Sequence, residues 1–127
     1  MKILVIADVH GNSDGLAAVL EAESDADRTI FLGDAVLPGL QPNETIAQFA
    51  DMPPGTWISG NHDEEMINPE IFANFPAPWL AFYNWVLENF DEAGYDILKT
   101  FLPPGEYEAD GMRMYLHHGQ VEGGPRH

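Results

Sequence analysis

The sequence predicts an α/β fold: a parallel β-α-β-α-β core, a helical insert and a C-terminal β-hairpin, in one domain spanning residues 1–127. Three observations carry this. Short apolar runs at Ile3-Leu4-Val5-Ile6-Ala7, Thr29-Ile30-Phe31-Leu32 and Thr56-Trp57-Ile58-Ser59 alternate with amphipathic stretches, the pattern of parallel strands joined by right-handed crossovers. Apolar residues recur at three- and four-residue steps through the middle third. Asp110-Gly111 separates two strand-like segments, and this dipeptide favours a two-residue hairpin turn.

The run Ile3 to Ala7 is continuous and rich in β-branched residues, which suits a strand buried on both faces. Gly11-Asn12-Ser13 is a turn cluster. Gly15 to Glu23 then reads as a helix with Leu16, Val19 and Leu20 on one stripe and Ser13 or Asp14 as its cap. After Thr29 to Leu32, Pro38-Gly39 and Pro42-Asn43 punctuate a loop, and Glu44 to Ala50 is a helix with Ile46, Phe49 and Ala50 facing inward. Met52-Pro53-Pro54-Gly55 leads into the third strand. Trp79, Phe82, Tyr83, Val86, Leu87 and Phe90 mark one helix face, an aromatic stripe that reads as core packing, with a substrate-lining or dimer-contact role as the alternative. Glu92 to Phe101 is a further helix ending before Pro103-Pro104. The hairpin strands are Glu106 to Ala109 and Met112 to His117.

Composition narrows the function. The chain carries 21 acidic against 5 basic residues, a formal charge of −16. Such a field repels nucleic-acid backbones and anionic membranes. A small phosphorylated substrate stays open, because bound divalent cations reverse the sign locally. Cysteine is absent, so neither disulfides nor thiolate metal sites arise. The apolar run after Met1-Lys2 is too short for a signal peptide and no stretch approaches the ~20 residues of a membrane span, so a cytoplasmic location is expected.

Polar clusters stand where strands end: Asp8-Val9-His10, Gly33-Asp34, Gly60-Asn61-His62-Asp63 and His117-His118-Gly119. In open α/β sheets ligands gather at the carboxyl ends of the strands. Only one of the adjacent His117 and His118 faces such a site. Carboxylate, imidazole and amide-oxygen donors suit hard-to-borderline divalent metals. Asp34 has two oxygens with which to bridge two cations, and Asn61 offers a carbonyl oxygen. Two such ions about 3.5–4 Å apart bind a phosphate and hold a hydroxide aimed at phosphorus. A protonated histidine then protonates the leaving oxygen. His62 points away from the Asn61 side chain, over the cleft, with Asp63 or another acid to orient it. The first strand is followed by neither G-x-G-x-x-G nor G-x-x-x-x-G-K-[ST], which sets aside the common nucleotide-binding α/β domains.

With Asp8-Val9-His10-Gly11-Asn12, Gly33-Asp34, Gly60-Asn61-His62-Asp63 and His118-Gly119 in this order, the chain resembles the calcineurin-like metallophosphoesterase superfamily over essentially its whole length. It is most similar to the small bacterial and archaeal phosphodiesterases. The resemblance implies Asp8 and His10 on a first metal, Asp34 bridging both, Asn61 and His118 on a second, and His62 as general acid. It implies two divalent ions (Mn²⁺, Fe²⁺, Ni²⁺ or Zn²⁺) and hydrolysis of phosphodiesters or phosphomonoesters in a small substrate. The family's G-H-x-H motif, which supplies one histidine to each metal, does not occur in this sequence. The resemblance is therefore to a truncated form of the fold, with three protein ligands per metal; His127, at the terminus, is not expected to make up the difference. Two further expectations follow: a homo-oligomer that covers the sheet face left open, and, as the alternative to an enzyme, a catalytically impaired binding or scaffold module. His62 favours the enzyme, since a scaffold needs no general acid beside its ligands.

Overall fold

The structure, a computed structural model, describes residues 1–119. Strands β1 (Ile3–Ile6), β2 (Arg28–Phe31) and β3 (Gly55–Trp57) form a parallel sheet in that order, with Ile3 opposite Arg28 and Thr29 opposite Gly55. The crossovers carry α1 (Ser13–Ala22) and α2 (Pro42–Ala47), the latter running into a 3₁₀ turn at Gln48–Asp51. The insert comprises α3 (Asn61–Ile67), a 3₁₀ turn at Pro69–Phe72, α4 (Ala77–Asn89) and α5 (Glu92–Leu98). Strands β4 (Gly105–Ala109) and β5 (Met112–Leu116) pair antiparallel as a separate hairpin.

The two-residue period of the strands divides the core. Ile6, Phe31 and Trp57 pack with the helices, against Leu16, Phe49, Met66, Tyr83 and Val86. Ile3, Ile30 and Ile58 face the other way, against Leu116, Tyr107 and Met114 of the hairpin. Arg28 ties β2 to the hairpin turn through a 2.9 Å Nε contact with Asp110. The predicted burial of the first strand on both faces holds for β2, the central strand, and fails for β1. Val5, on the hairpin side of this edge strand, belongs to neither core cluster and is 56% exposed.

Several element boundaries differ from the sequence reading for identifiable reasons. Asn12, ahead of the predicted Ser13 or Asp14, caps α1 by accepting the Gly15 N–H at 2.8 Å. Pro42 starts α2 two residues early, as suits a proline at a first helical position, and Thr45 rather than Ala50 is buried beside Ile46 and Phe49. Trp79 stands outside the core at 57% exposure, whereas Tyr83, Val86 and Phe90 are inside it. The helix expected over 92–101 ends at Leu98. The main omission is α3, which begins inside the cluster read as a strand-end loop. Among the described residues, no helix is long and apolar enough to cross a membrane.

Candidate metal centre

The loops after β1 and β2 are joined by their backbones. Asp8 N–H donates to Gly33 O at 2.9 Å, His10 N–H to Asp34 O at 3.0 Å and Gly11 N–H to Ala35 O at 2.9 Å. The parallel register thus continues past the strands and sets the two carboxylates side by side. Asp8, His10 and Asp34 have φ of 58°, 49° and 66°, a left-handed backbone that non-glycine residues adopt at a cost of about 1 kcal/mol or more each. The remaining described non-glycine residue with positive φ is Asp110, in the hairpin turn. Strain is therefore concentrated on predicted ligands.

Gly33 permits the close approach. A Cβ there would lie 2.5 Å from Gly60 N and 2.9 Å from His118 Nδ1, and its φ is +104°. Beyond it, α3 starts at Asn61, and Asp63 in its first turn is fully buried. The Asp63 carboxylate accepts backbone N–H groups from Asp34 (2.7 Å), Ala35 (2.9 Å) and Gly60 (2.8 Å). Its three bonds bind the β2 loop to the start of α3. Of the two expectations for the acid beside His62, Asp63 or another, the structure has the second: the Asp63 oxygens are used by the backbone, and Glu65 Oε2 lies 2.8 Å from His62 Nδ1.

Asp34 is 2% exposed. Its Oδ1 accepts the His62 backbone N–H at 3.0 Å, while Oδ2 lies 3.1 Å from His118 Nε2 and 3.8 Å from His10 Nε2. Burial pushes its carboxyl above the ordinary range, opposed by the charges of His118, His62 and His10 and by the His62 N–H. Asp8 Oδ1 lies 3.4 Å from His10 Nε2 and 3.8 Å from His118 Nε2. Ligand atoms of Asp8, Asp34 and His118 all fall within 4.8 Å of one another. His118 is buried and the adjacent His117 is exposed, so of this pair only His118 turns inward.

Both imidazoles are aimed through their far nitrogens. His118 Nδ1 donates to the Leu32 carbonyl at 2.6 Å and His10 Nδ1 to the Leu37 carbonyl at 3.0 Å. A carbonyl oxygen only accepts, so each Nδ1 carries a proton, and each ring in its neutral form presents the Nε2 lone pair to the carboxylates. Lone pairs facing carboxylate oxygens repel unless a cation lies between them. Buried His118 Nε2 and buried Asn61 Oδ1 have no hydrogen-bond partner among the described residues. Asp8, Asp34 and His118, with the His118 ring steadied by a carbonyl, form a group that could hold a metal ion. His127 lies outside the described residues.

His62 stands beside this set, its ring edge-on to His10 with centroids 5.6 Å apart. Sequence reasoning did not single out two of its neighbours, Glu65 and Tyr83, whose hydroxyl is 3.5 Å from His62 Nδ1. The acidic pair Asp63-Glu64, a helix-start signal, would have revealed α3 and so the His62-to-Glu65 spacing. Tyr83 came from a stripe read as core packing; it serves in the core and also touches the site.

A search of curated proteins returned no match. Among solved structures, the chain is similar to a metallophosphoesterase from Sphaerobacter thermophilus at 26% identity and a TM-score of 0.66, covering 86% of this chain and 44% of that one. It is also similar in fold to a hypothetical protein from Pyrococcus horikoshii (18% identity, TM-score 0.71, covering 87% and 52%). A third likeness of fold is to a provisionally named diadenosine tetraphosphatase (17% identity, TM-score 0.59, covering 78% and 42%). The chain thus spans about half the length of these solved relatives. The family model for calcineurin-like phosphoesterases matches residues 1–123. The chain belongs to the calcineurin-like phosphoesterase family.

Proposed function

We propose that this chain hydrolyses phosphoester bonds of a small substrate, as a phosphodiesterase or phosphatase, with two divalent ions held by Asp8, His10, Asp34, Asn61 and His118. The observation that supports the reading most is the group formed by Asp8, Asp34 and His118, whose ligand atoms lie within 4.8 Å of one another, together with buried Asn61 Oδ1, which has no hydrogen bond among the described residues. Mn²⁺, Fe²⁺, Ni²⁺ and Zn²⁺ all suit such oxygen and imidazole donors. When bound, such ions would offset the charge of a phosphoryl group and make phosphorus more electrophilic. The protein's own contribution begins with the strained loops, which hold the ligands in place before substrate arrives. Asp34, fixed through its amide by Asp63 and through Oδ1 by the His62 N–H, keeps Oδ2 turned to both histidines. His62, 21% exposed at its side chain, is the proton donor for the leaving oxygen. A homo-oligomer that covers the exposed side of β1 belongs to the same reading, and a monomer at micromolar concentration in sedimentation would count against it.

The test is the metal content of the purified chain together with hydrolysis of bis-p-nitrophenyl phosphate in added Mn²⁺ or Ni²⁺. Hydrolysis is expected. Asp34→Asn should lose metal and activity together, while His62→Ala should keep its metal and lose about 10²-fold or more in kcat. Two tightly held metals without turnover would favour a scaffold, and failure to bind metal would sink both readings.

A further inference from the structure

We propose that Glu65 is the positioning residue for His62, holding its Nδ1 so that Nε2 is the nitrogen offered to a substrate's leaving group. The inference rests on the phosphoesterase reading above and adds a residue to it. His62 and Glu65 are three apart on α3 and so share one helix face. Glu65 is only 6% exposed, and its one ion pair among the described residues is with His62. Burying a carboxylate is costly unless it is paired, and among the described residues this one forms its ion pair with the imidazole.

The carboxylate, ionised, can only accept. The 2.8 Å contact therefore places a proton on His62 Nδ1 and selects the ring's orientation. Nε2, on the far side of the ring, makes no hydrogen bond among the described residues, and the ring lies beside that of His10 of the donor set, at 74° to it with centroids 5.6 Å apart. Tyr83 stands near the same nitrogen, with its ring at 80° to that of His62, centroids 6.1 Å apart, and its hydroxyl 3.5 Å from Nδ1. Burial, with the Glu65 charge adding to it, pushes the Tyr83 hydroxyl up to about 12, so it stays protonated beside the pair. Asp63 is not a competitor for this role, because backbone N–H groups take both of its oxygens.

The step this serves balances simply. Water forms the new P–O bond and gives a proton to solvent. The P–O bond to the leaving group breaks with its electron pair on oxygen, and that oxygen takes the proton from His62 Nε2. The imidazole is left neutral, Glu65 remains ionised throughout, and His62 recovers its proton from solvent.

A pair that only stabilised the helix would share this geometry but not its effect on proton transfer, so the test uses readouts that stability does not move. Methyl p-nitrophenyl phosphate releases an anion that needs little protonation, whereas methyl phenyl phosphate releases one that needs more. With Mn²⁺ present, Glu65→Ala should lower kcat on the phenyl ester by about tenfold or more and on the p-nitrophenyl ester by less than about threefold. Glu65→Gln, whose side-chain carbonyl still accepts, should recover most of the loss on the phenyl ester, and it stands in should the alanine variant fail to fold. In the metal-free chain, ¹⁵N NMR of His62 should show the Nδ1–H tautomer in wild type and in Glu65→Gln, and a mixture in Glu65→Ala. Equal loss on both esters, or an unchanged tautomer in Glu65→Ala, would overturn the positioning role and leave the phosphoesterase reading standing. If the wild-type chain hydrolyses neither ester, the functional reading fails and the NMR result alone decides for or against Glu65.

Discussion

The Asp63 carboxylate accepts the backbone N–H of Asp34 at 2.7 Å, so a side chain from α3 holds the residue that ends the β2 loop. Two further bonds, to Ala35 and Gly60, make Asp63 the joint between two ligand-bearing segments. Asp63→Ala would leave three buried donors without an acceptor. Charged hydrogen bonds of this kind are worth roughly 1.5–3 kcal/mol each, partly offset by relief from burying the carboxylate, so a net loss of about 2–4 kcal/mol is expected. Urea unfolding measures it, and a change below about 1 kcal/mol would contradict the role assigned to Asp63.

The same carboxyl should make stability depend on pH in a defined direction. Burial pushes Asp63 up to about 6 from an ordinary 3.8, against the pull of its three N–H partners. The folded chain therefore binds this proton more readily than the unfolded chain does. The resulting contribution, on the order of 3 kcal/mol, is fully present below pH 3.8 and is lost as pH rises through about 6. A ¹³C-carboxyl titration of the metal-free chain should place the Asp63 midpoint near 6; a midpoint at or below 4 would show that the N–H bonds outweigh burial.

Metal binding should appear as thermal stabilisation that depends on His118. Free Mn²⁺ at 100 times its Kd adds about 2.7 kcal/mol to a chain that binds it only when folded. A rise of several degrees in Tm, reversed by EDTA, is expected for the wild type. His118→Ala removes the buried Nε2 donor and should remove most of that rise. An undiminished rise in His118→Ala would place the metal elsewhere.

Gly33→Ala tests the close approach of the loops. Its Cβ would meet Gly60 N at 2.5 Å and His118 Nδ1 at 2.9 Å, at a φ that alanine resists. The backbone cannot yield without moving the ligands, so we expect a loss of about 2–4 kcal/mol in urea unfolding together with weakened Mn²⁺ binding. Wild-type metal affinity in this variant would mean that the loops have more freedom than their spacing implies.

The fold class and ligand types were legible in the chain because both are written locally. Apolar runs of strand length mark β1, β2 and β3, and Asp110-Gly111 marks the hairpin turn. Asp8, His10, Asp34, Asn61 and His118 could be named as candidates through their place after these runs, since strand order and strand direction bring strand ends together, and the structure brings Asp8, Asp34 and His118 within 4.8 Å of one another. Less was legible where one residue has two readings. Tyr83 belongs to a packing stripe and also touches His62, and spacing along a helix cannot separate the two uses. Val5 reads as a core residue, yet β1 lies at the edge of the sheet, a matter of strand order rather than residue type.

By itself, the sequence determined which atoms are available to hold a metal and at which end of the sheet they collect. Only the tertiary structure decided how each is aimed: that His118 rather than His117 turns inward, that Leu32 and Leu37 carbonyls set the two ring tautomers, and that Asp63 serves the backbone while Glu65 meets His62. The reason is physical. Residue type and spacing set chemistry and strand direction, but a hydrogen bond between residues 86 positions apart, such as His118 to Leu32, exists only once the sheet and the hairpin have packed.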